Sequence, residues 1–240
     1  MDELPQRARR IAFFGGSFDP PHFGHLAVAR SARDAIGLDA VLFAPVGAQP
    51  LKPQGSTAGF EDRVTMTRLA IADERGFAIS RADAPTPTGA PNYTLDTLLR
   101  LRAQLPEGGA LFCLIGADSF LGLKRWHRAA EILIAAPLIV ASRPNESLDD
   151  LAAALPDGIA IEAAPDLLGE LPPQPRRSFV RVLAYRVQNS AGIVAPFYLL
   201  PELQVEASAT GFREHAGPKF AESLLPGAVA EYIHVHGLYR

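Results

Sequence analysis

The chain carries one cysteine and one tryptophan in 240 residues, and no excess of positive charge. Each scarcity removes a class of function. A lone thiol, Cys113, closes no intrachain disulfide; within the apolar run Leu111–Ile115 it reads as a buried, inert side chain. A formal net charge of −3 leaves no general basic field for nucleic acid, although a local cationic pocket for phosphates is compatible with it. No apolar stretch approaches the about 20 residues of a membrane span, and Met1–Pro5 opens no apolar signal segment. These absences predict a chain in a reducing cytoplasm, with no nucleic acid and no membrane as partner. Ser-His-Asp and Cys-His arrangements are missing, and no Cys/His spacing suits zinc.

Hydrophobic residues make up 48% and charged residues 20% of the chain, a globular composition long enough for one α/β domain or two small ones. Short apolar runs alternate with amphipathic stretches. Ile11–Phe14, Val41–Ala44, Phe77–Ser80, Leu111–Ile115 and Leu138–Ala141 read as strands. Helical spacing runs over His25–Ile36, stopped by Gly37, over Phe60–Ala72 and over Tyr93–Leu105. Strands that are apolar from end to end and alternate with helices predict a parallel sheet covered on both faces. The expected fold is α/β, a Rossmann-like doubly wound parallel sheet with a small C-terminal helical part and ligands at the carboxyl ends of the strands.

Residues 156 to 178 break the rhythm with Pro156, Pro165, Pro172, Pro173 and Pro175 together with Gly158 and Gly169, and read as a loop excursion. Phe179–Val187 and Ile193–Leu200 then read as strands. The excursion could be a linker, but the roughly 60 residues beyond it make a thin independent core. One domain over 1–240 is therefore expected, with the excursion free to cover the site, to join a homo-oligomer interface or to do neither.

The segment Gly15-Gly16-Ser17-Phe18-Asp19-Pro20-Pro21-His22-Phe23-Gly24-His25 lies between the first strand and the first helix, where a doubly wound fold presents backbone to phosphates. Paired glycines allow a tight turn and close approach to a ligand. His22 and His25 are three apart and share one face at a helix start, where imidazole donors and the helix dipole both favour an anion. A Gly-Pro turn followed by a capping histidine is the plain alternative; two histidines on one face directly after a Gly-Gly turn argue against it.

This segment resembles the G-G-x-F-D-P-x-H-x-G-H motif of the nucleotidyltransferase superfamily, related to the H-I-G-H motif of class I aminoacyl-tRNA synthetases. Further segments are similar to the bacterial nicotinate-nucleotide adenylyltransferases: Asn92-Tyr93-Thr94-Leu95-Asp96-Thr97-Leu98, Ile115-Gly116-Ala117-Asp118-Ser119-Phe120 followed by Trp126-His127, Ala141-Ser142-Arg143-Pro144, the helix with Phe60, Arg63, Met66 and Ala70, Ala207-Ser208-Ala209-Thr210-Gly211-Phe212-Arg213, and the tail through Leu238-Tyr239. The matches run in order over nearly the whole chain, interrupted mainly at 145 to 190. The resemblance implies that His22, His25 and Arg213 are catalytic, stabilising charge on ATP phosphates. It implies that Gly15, Gly16, Ser17, Phe18, Lys52, Arg143, Ser208 and Thr210 complete the ATP site. It implies that Asp19, Tyr93, Thr94, Asp118 and Trp126 meet the mononucleotide, Trp126 by stacking. Each has a plain reading too: Thr94 as a helix cap, Asp118 as a cap of the next helix, Trp126 as a core anchor, Lys52 and Arg143 as surface charges.

The sequence departs from the family pattern at Leu51, where a histidine is usual, at Asn92, Ala207 and Ala209, and at Gly211, which costs up to about 1 kcal/mol in a helix. The implied chemistry is attack by the phosphate of nicotinate mononucleotide on the α-phosphorus of ATP. A phosphomonoester, with its second pKa near about 6, is already largely dianionic at neutral pH and needs no general base. The site must supply alignment and positive charge, with Mg²⁺ held mainly through the ATP phosphates. The alternatives are another acceptor, nicotinamide mononucleotide or phosphopantetheine, and a nucleotide-binding regulator without catalysis. The acid form of the acceptor rests on the resemblance alone.

Overall fold

A computed structural model of the chain describes residues 5, 8–51, 54–141, 148–175, 179–201 and 224–239, with the side chains of 148–150 left aside. Eight strands form one sheet: β1 (Arg10–Gly16), β2 (Ala40–Pro45), β3 (Phe77–Ile79), β4 (Ala110–Gly116), β5 (Leu138–Ala141), β6 (Ile159–Ala163), β7 (Leu183–Asn189) and β8 (Val194–Leu200). Their order is β3-β2-β1-β4-β5-β8-β7-β6. The strands β1, β2, β4 and β5, apolar apart from Arg10 at the start of β1, are central and pair in parallel, as burial of both faces demands.

Two layers of helix cover the sheet: α1 (Phe23–Ile36), α2 (Phe60–Ala70), α3 (Thr94–Arg102), α4 (Ala117–Leu121), α5 (Ala129–Ala135), α6 (Leu148–Ala154) and α7 (Gly227–His236). Period-two alternation sends Ile11, Phe13, Leu111 and Cys113 toward Leu95, Leu98, Ile132 and Leu133 of α3 and α5. It sends Ala12, Phe14, Phe112 and Leu114 toward Leu26, Ala29, Met66 and Val229 of α1, α2 and α7. Cys113 is buried, as its apolar setting predicts, and burial lifts its thiol to about 12. Among the described residues no helix is long and apolar enough to cross a membrane.

The structure corrects the sequence reading at one edge. The sheet is mixed, because β7 runs antiparallel to β8 and β6 antiparallel to β7. Residues 156 to 178, expected as a loop, contain β6 and a 3-10 turn over Pro165–Glu170, and Leu167 of that turn enters the core. The prolines flank the short strand instead of interrupting it, as edge strands permit. The strand expected from Phe179 begins at Leu183, and Phe179 itself is 84% exposed.

Candidate active site

The loop between β1 and α1 lies at the carboxyl end of a central strand, where the strand order changes direction. His22 is the N-cap of α1, so the helix starts at Phe23, two residues before the sequence reading placed it. The imidazoles of His22 and His25 stack with centroids 3.7 Å apart. The His22 backbone N–H donates to His25 Nδ1 at 3.2 Å; that nitrogen is therefore an acceptor, and the proton of neutral His25 sits on Nε2. His22 Nδ1 is buried with no hydrogen-bond partner among the described residues, a cost of about 1–3 kcal/mol that a ligand group would relieve. His25 keeps a partly exposed edge while Phe18 crowds it at 4.9 Å.

Gly15 and Gly16 serve their own neighbours. A Cβ on Gly15 would fall 2.7 Å from the Phe13 ring, and one on Gly16 3.3 Å from the Phe18 ring. The turn is made at Phe18, whose φ of 47° is left-handed and costs a non-glycine residue strain. Its ring is buried against Phe14, Phe43 and His25, so Phe18 packs the histidine from behind.

Three neighbouring segments are tied to this loop. Arg63, 2% exposed, donates to the Ser17, Val46 and Ala58 carbonyls at 2.8, 2.8 and 3.2 Å. Ser17 Oγ donates to Gln49 Oε1 at 3.0 Å. Asn92 accepts from the Ala48 N–H and donates through Nδ2 to the Ala84 carbonyl, both at 2.9 Å. A chain of contacts thus runs from Ser17 to the start of α3. Asn92, a departure from the family pattern, serves as this bridge.

Tyr93 is the N-cap of α3 and makes no side-chain cap bond; Thr94 is the first helical residue. The expected Thr94 cap is therefore replaced by a threonine hydroxyl at the helix start. The Tyr93 ring lies 4.3 Å from that of His127, which brings the 92–94 and 126–127 motifs together. Trp126 is half-buried and packs on the core beside α5, so the core-anchor reading holds for part of its surface. Asp118 is exposed in the first turn of α4, directly beyond β4. Asp19, expected at the mononucleotide, has both oxygens engaged by the protein: Thr57 and Ala58 N–H donate at 2.6 and 3.0 Å and Tyr239 OH at 2.6 Å. Lys52, Arg143, Ser208, Thr210 and Arg213 lie outside the described residues.

Sequence reasoning missed Arg63, Tyr239 and Asp83 as parts of this region. Arg63 had a signal, since Arg63, Met66, Thr67 and Ala70 share one buried helix face. Asp83 is 4% exposed, accepts from Thr97 Oγ1 and takes the Gly47 N–H on its carbonyl.

Burial sets the protonation of these groups. It lowers His22 from 6.5 to about 4, and it lowers His25 with help from His22, so both imidazoles are neutral donors and acceptors at pH 7. Burial raises Asp83 from 3.8 to about 6 against the opposing Thr97 hydrogen bond and Arg100. Unfolded His22 takes a proton below pH 6.5 and folded His22 only near 4; its contribution to stability, about 3 kcal/mol, is present above 6.5 and lost as pH falls. Folded Asp83 holds its proton until about pH 6; its contribution is present at low pH and lost as pH rises through 6. The two oppose each other in one window. Asp83→Asn removes the counterweight, and the stability lost between pH 7 and 4.5 in urea unfolding should grow by about 2 kcal/mol. An unchanged loss would refute the assignment.

A family model described as cytidylyltransferase-like matches residues 13–203. The chain is 36% identical over 232 residues to a protein of Gloeobacter violaceus named "Probable nicotinate-nucleotide adenylyltransferase", with 96% of each chain covered. It is 37% identical over 232 residues to a protein of the same name from Stenotrophomonas maltophilia, covering 95% of this chain and 96% of that one. The fold superposes on Plasmodium falciparum nicotinic acid mononucleotide adenylyltransferase complexed with NaAD with a TM-score of 0.66, 13% identity and 96% and 97% coverage, a likeness that concerns the fold alone. The sequence matches span nearly all of each chain, and the histidine loop occupies the ligand end of the sheet; the chain belongs to the cytidylyltransferase-like family and, within it, to the nicotinate-nucleotide adenylyltransferases.

Proposed function

We propose that this protein joins the adenylyl group of ATP to nicotinate mononucleotide, giving nicotinate adenine dinucleotide and pyrophosphate. The observation that carries the reading is the stacked His22–His25 pair at the N-terminus of α1, with an orphaned buried nitrogen on His22. A helix N-terminus attracts phosphate. His25, acceptor at Nδ1, is left with an Nε2 donor for an oxyanion. Negative charge arriving beside a buried neutral imidazole raises its pKa, so the phosphates themselves draw protons onto the pair.

The mononucleotide phosphate attacks the α-phosphorus of ATP. A P–O bond forms to it, the bond from the α-phosphorus to the bridging oxygen breaks, and pyrophosphate leaves with the electron pair. The imidazoles orient the triphosphate and meet charge developing on the leaving group. Arg213 joins them as a forked cation, and Lys52, Arg143, Ser208 and Thr210 complete the ATP grip, with Gly15, Gly16 and Ser17 contributing loop backbone. A Mg²⁺ ion would be carried mainly by the triphosphate. Bound there, Mg²⁺ neutralises phosphate charge.

Tyr93, Thr94, Asp118 and the free surface of Trp126 receive the mononucleotide, while Asp19 holds the loop. Trp126→Ala should raise KM for the mononucleotide about tenfold or more; a KM unchanged in a folded variant would remove Trp126 from the site. The reaction itself is tested by pyrophosphate release with ATP and Mg²⁺, comparing nicotinate mononucleotide, nicotinamide mononucleotide and phosphopantetheine. Preference for the nicotinate form is expected. Preference for another acceptor discards the substrate, and ATP binding without release discards the reaction.

A further inference from the structure

Asp19 is the residue at which three distant stretches of chain meet. It is 4% exposed. Its Oδ2 accepts from Thr57 N–H, and its Oδ1 accepts from Ala58 N–H and from the Tyr239 hydroxyl, which lies 220 positions away in sequence. Ala58 closes the arrangement, since its carbonyl accepts from Arg63, which also holds Ser17. The catalytic loop is therefore gripped on both sides of Phe18, at Ser17 by Arg63 and at Asp19 by Thr57, Ala58 and Tyr239.

The placement of Asp19 bears directly on the histidine pair. Pro20 and Pro21 separate it from His22, and each ring fixes φ near about −65°. A shift of Asp19 is thus passed on to His22, with little freedom between them to absorb it. Tyr239 is itself held in place by the chain before it. Gly237 ends α7 in a left-handed conformation at φ 62°, and Leu238 N–H returns to the Ile233 carbonyl at 3.1 Å, a C-terminal helix cap. Tyr239 then takes φ 60°, a strained conformation for a side chain of its size. Upstream, α7 is fastened to α2 by Tyr232 OH donating to Asp62 Oδ1 at 2.9 Å.

We propose that Tyr239 is a positioning residue for adenylyl transfer: its hydroxyl, donating to Asp19, sets the Asp19–His22 segment and so the imidazole pair. The proposal rests on the reaction given above. It makes the C-terminal turn a working part of the phosphate loop through the hydrogen bond from Tyr239 to Asp19.

Tyr239→Phe removes one oxygen and keeps the ring. In pyrophosphate release with saturating ATP and Mg²⁺, kcat should fall about tenfold or more, as displacement of aligned groups does, while KM for nicotinate mononucleotide stays within about twofold. Melting of the substrate-free variant shows that it is folded at the assay temperature. The second arm places the substitution in an Asp19→Ala background, where the bond is already gone and kcat should change by less than about twofold. A C-terminus that merely stabilises the fold would give the same fractional loss in both backgrounds. That result overturns the proposal, as does an unchanged kcat or a rise in KM alone in Tyr239→Phe. Wild-type protein that releases no pyrophosphate overturns the reaction and the proposal together, and the wild-type arm tells this failure from the others.

Discussion

Alanine at position 25 should lower kcat for pyrophosphate release by about 10²–10³-fold, the usual loss when a donor to developing anionic charge is removed. The expectation follows from the tautomer. His25 Nδ1 is committed to the His22 backbone N–H, which leaves Nε2 as the donor and gives the ring a fixed direction. The substitution does more than delete chemistry. His25 packs against Phe14, Phe18 and His22, so the variant also loses about 1–3 kcal/mol of stability through the space left behind. Turnover must therefore be measured well below its melting temperature. His25→Gln separates the two effects, because its amide nitrogen reaches about as far as Nε2 and restores a donor without the ring. Intermediate turnover in the glutamine variant is the expected result. Near-normal turnover in His25→Ala would remove the histidine pair from the reaction.

Arg63→Met should cost at least about 3 kcal/mol of unfolding free energy in urea. The arginine is 2% exposed and serves three backbone carbonyls. Methionine fills much of the volume but donates nothing, so the buried Val46 and Ala58 carbonyls lose this donor, at about 1–3 kcal/mol for each left unsatisfied, and the half-buried Ser17 carbonyl loses it too. Lysine keeps a charge but brings a compact head in place of a planar fork; Arg63→Lys should fall between the two. Burial lowers the arginine pKa while the Asp19 carboxylate holds it up, so the guanidinium stays charged behind the loop that joins β1 to α1. A methionine variant less than about 1 kcal/mol weaker would show that the Ser17, Val46 and Ala58 carbonyls find other donors.

The central strands were legible because burial on both faces leaves no polar residue inside them, and Leu138–Ala141 is a strand with the bounds its sequence suggests. The edge was not. Ile159–Ala163 is short, carries Glu162 and sits between Gly158 and Pro165, the composition of a loop; it is a strand because β7 is there to pair with it. The helices α4 and α5 have five and seven residues, too few to display a helical period. At the site, the histidine pair was legible as a motif and its stacking was not. Thr94 and Tyr93 exchanged roles by one position, a shift that side-chain type alone does not reveal. Asp19 shows the deeper limit. A carboxylate after a glycine turn reads equally well as a ligand group or as a brace, and one of its partners stands at the opposite end of the chain.

The two antiparallel strands also act as a routing device. The chain leaves β5 at Ala141 on the ligand side of the sheet, is back on that side at the end of β6, where Ala163 pairs with Tyr185, and enters β7 there at Leu183, opposite Leu199. It then descends along β7, reverses through Asn189 to Val194 and climbs β8. A hairpin does here what a crossover helix does elsewhere in the sheet. Its product is a strand whose last residue, Leu200, lies level with Ala141. That last residue is therefore a launching point at the ligand end of the sheet. Lengthening the hairpin turn at 190–193 would add residues at the far end of the sheet and leave that launching point where it is.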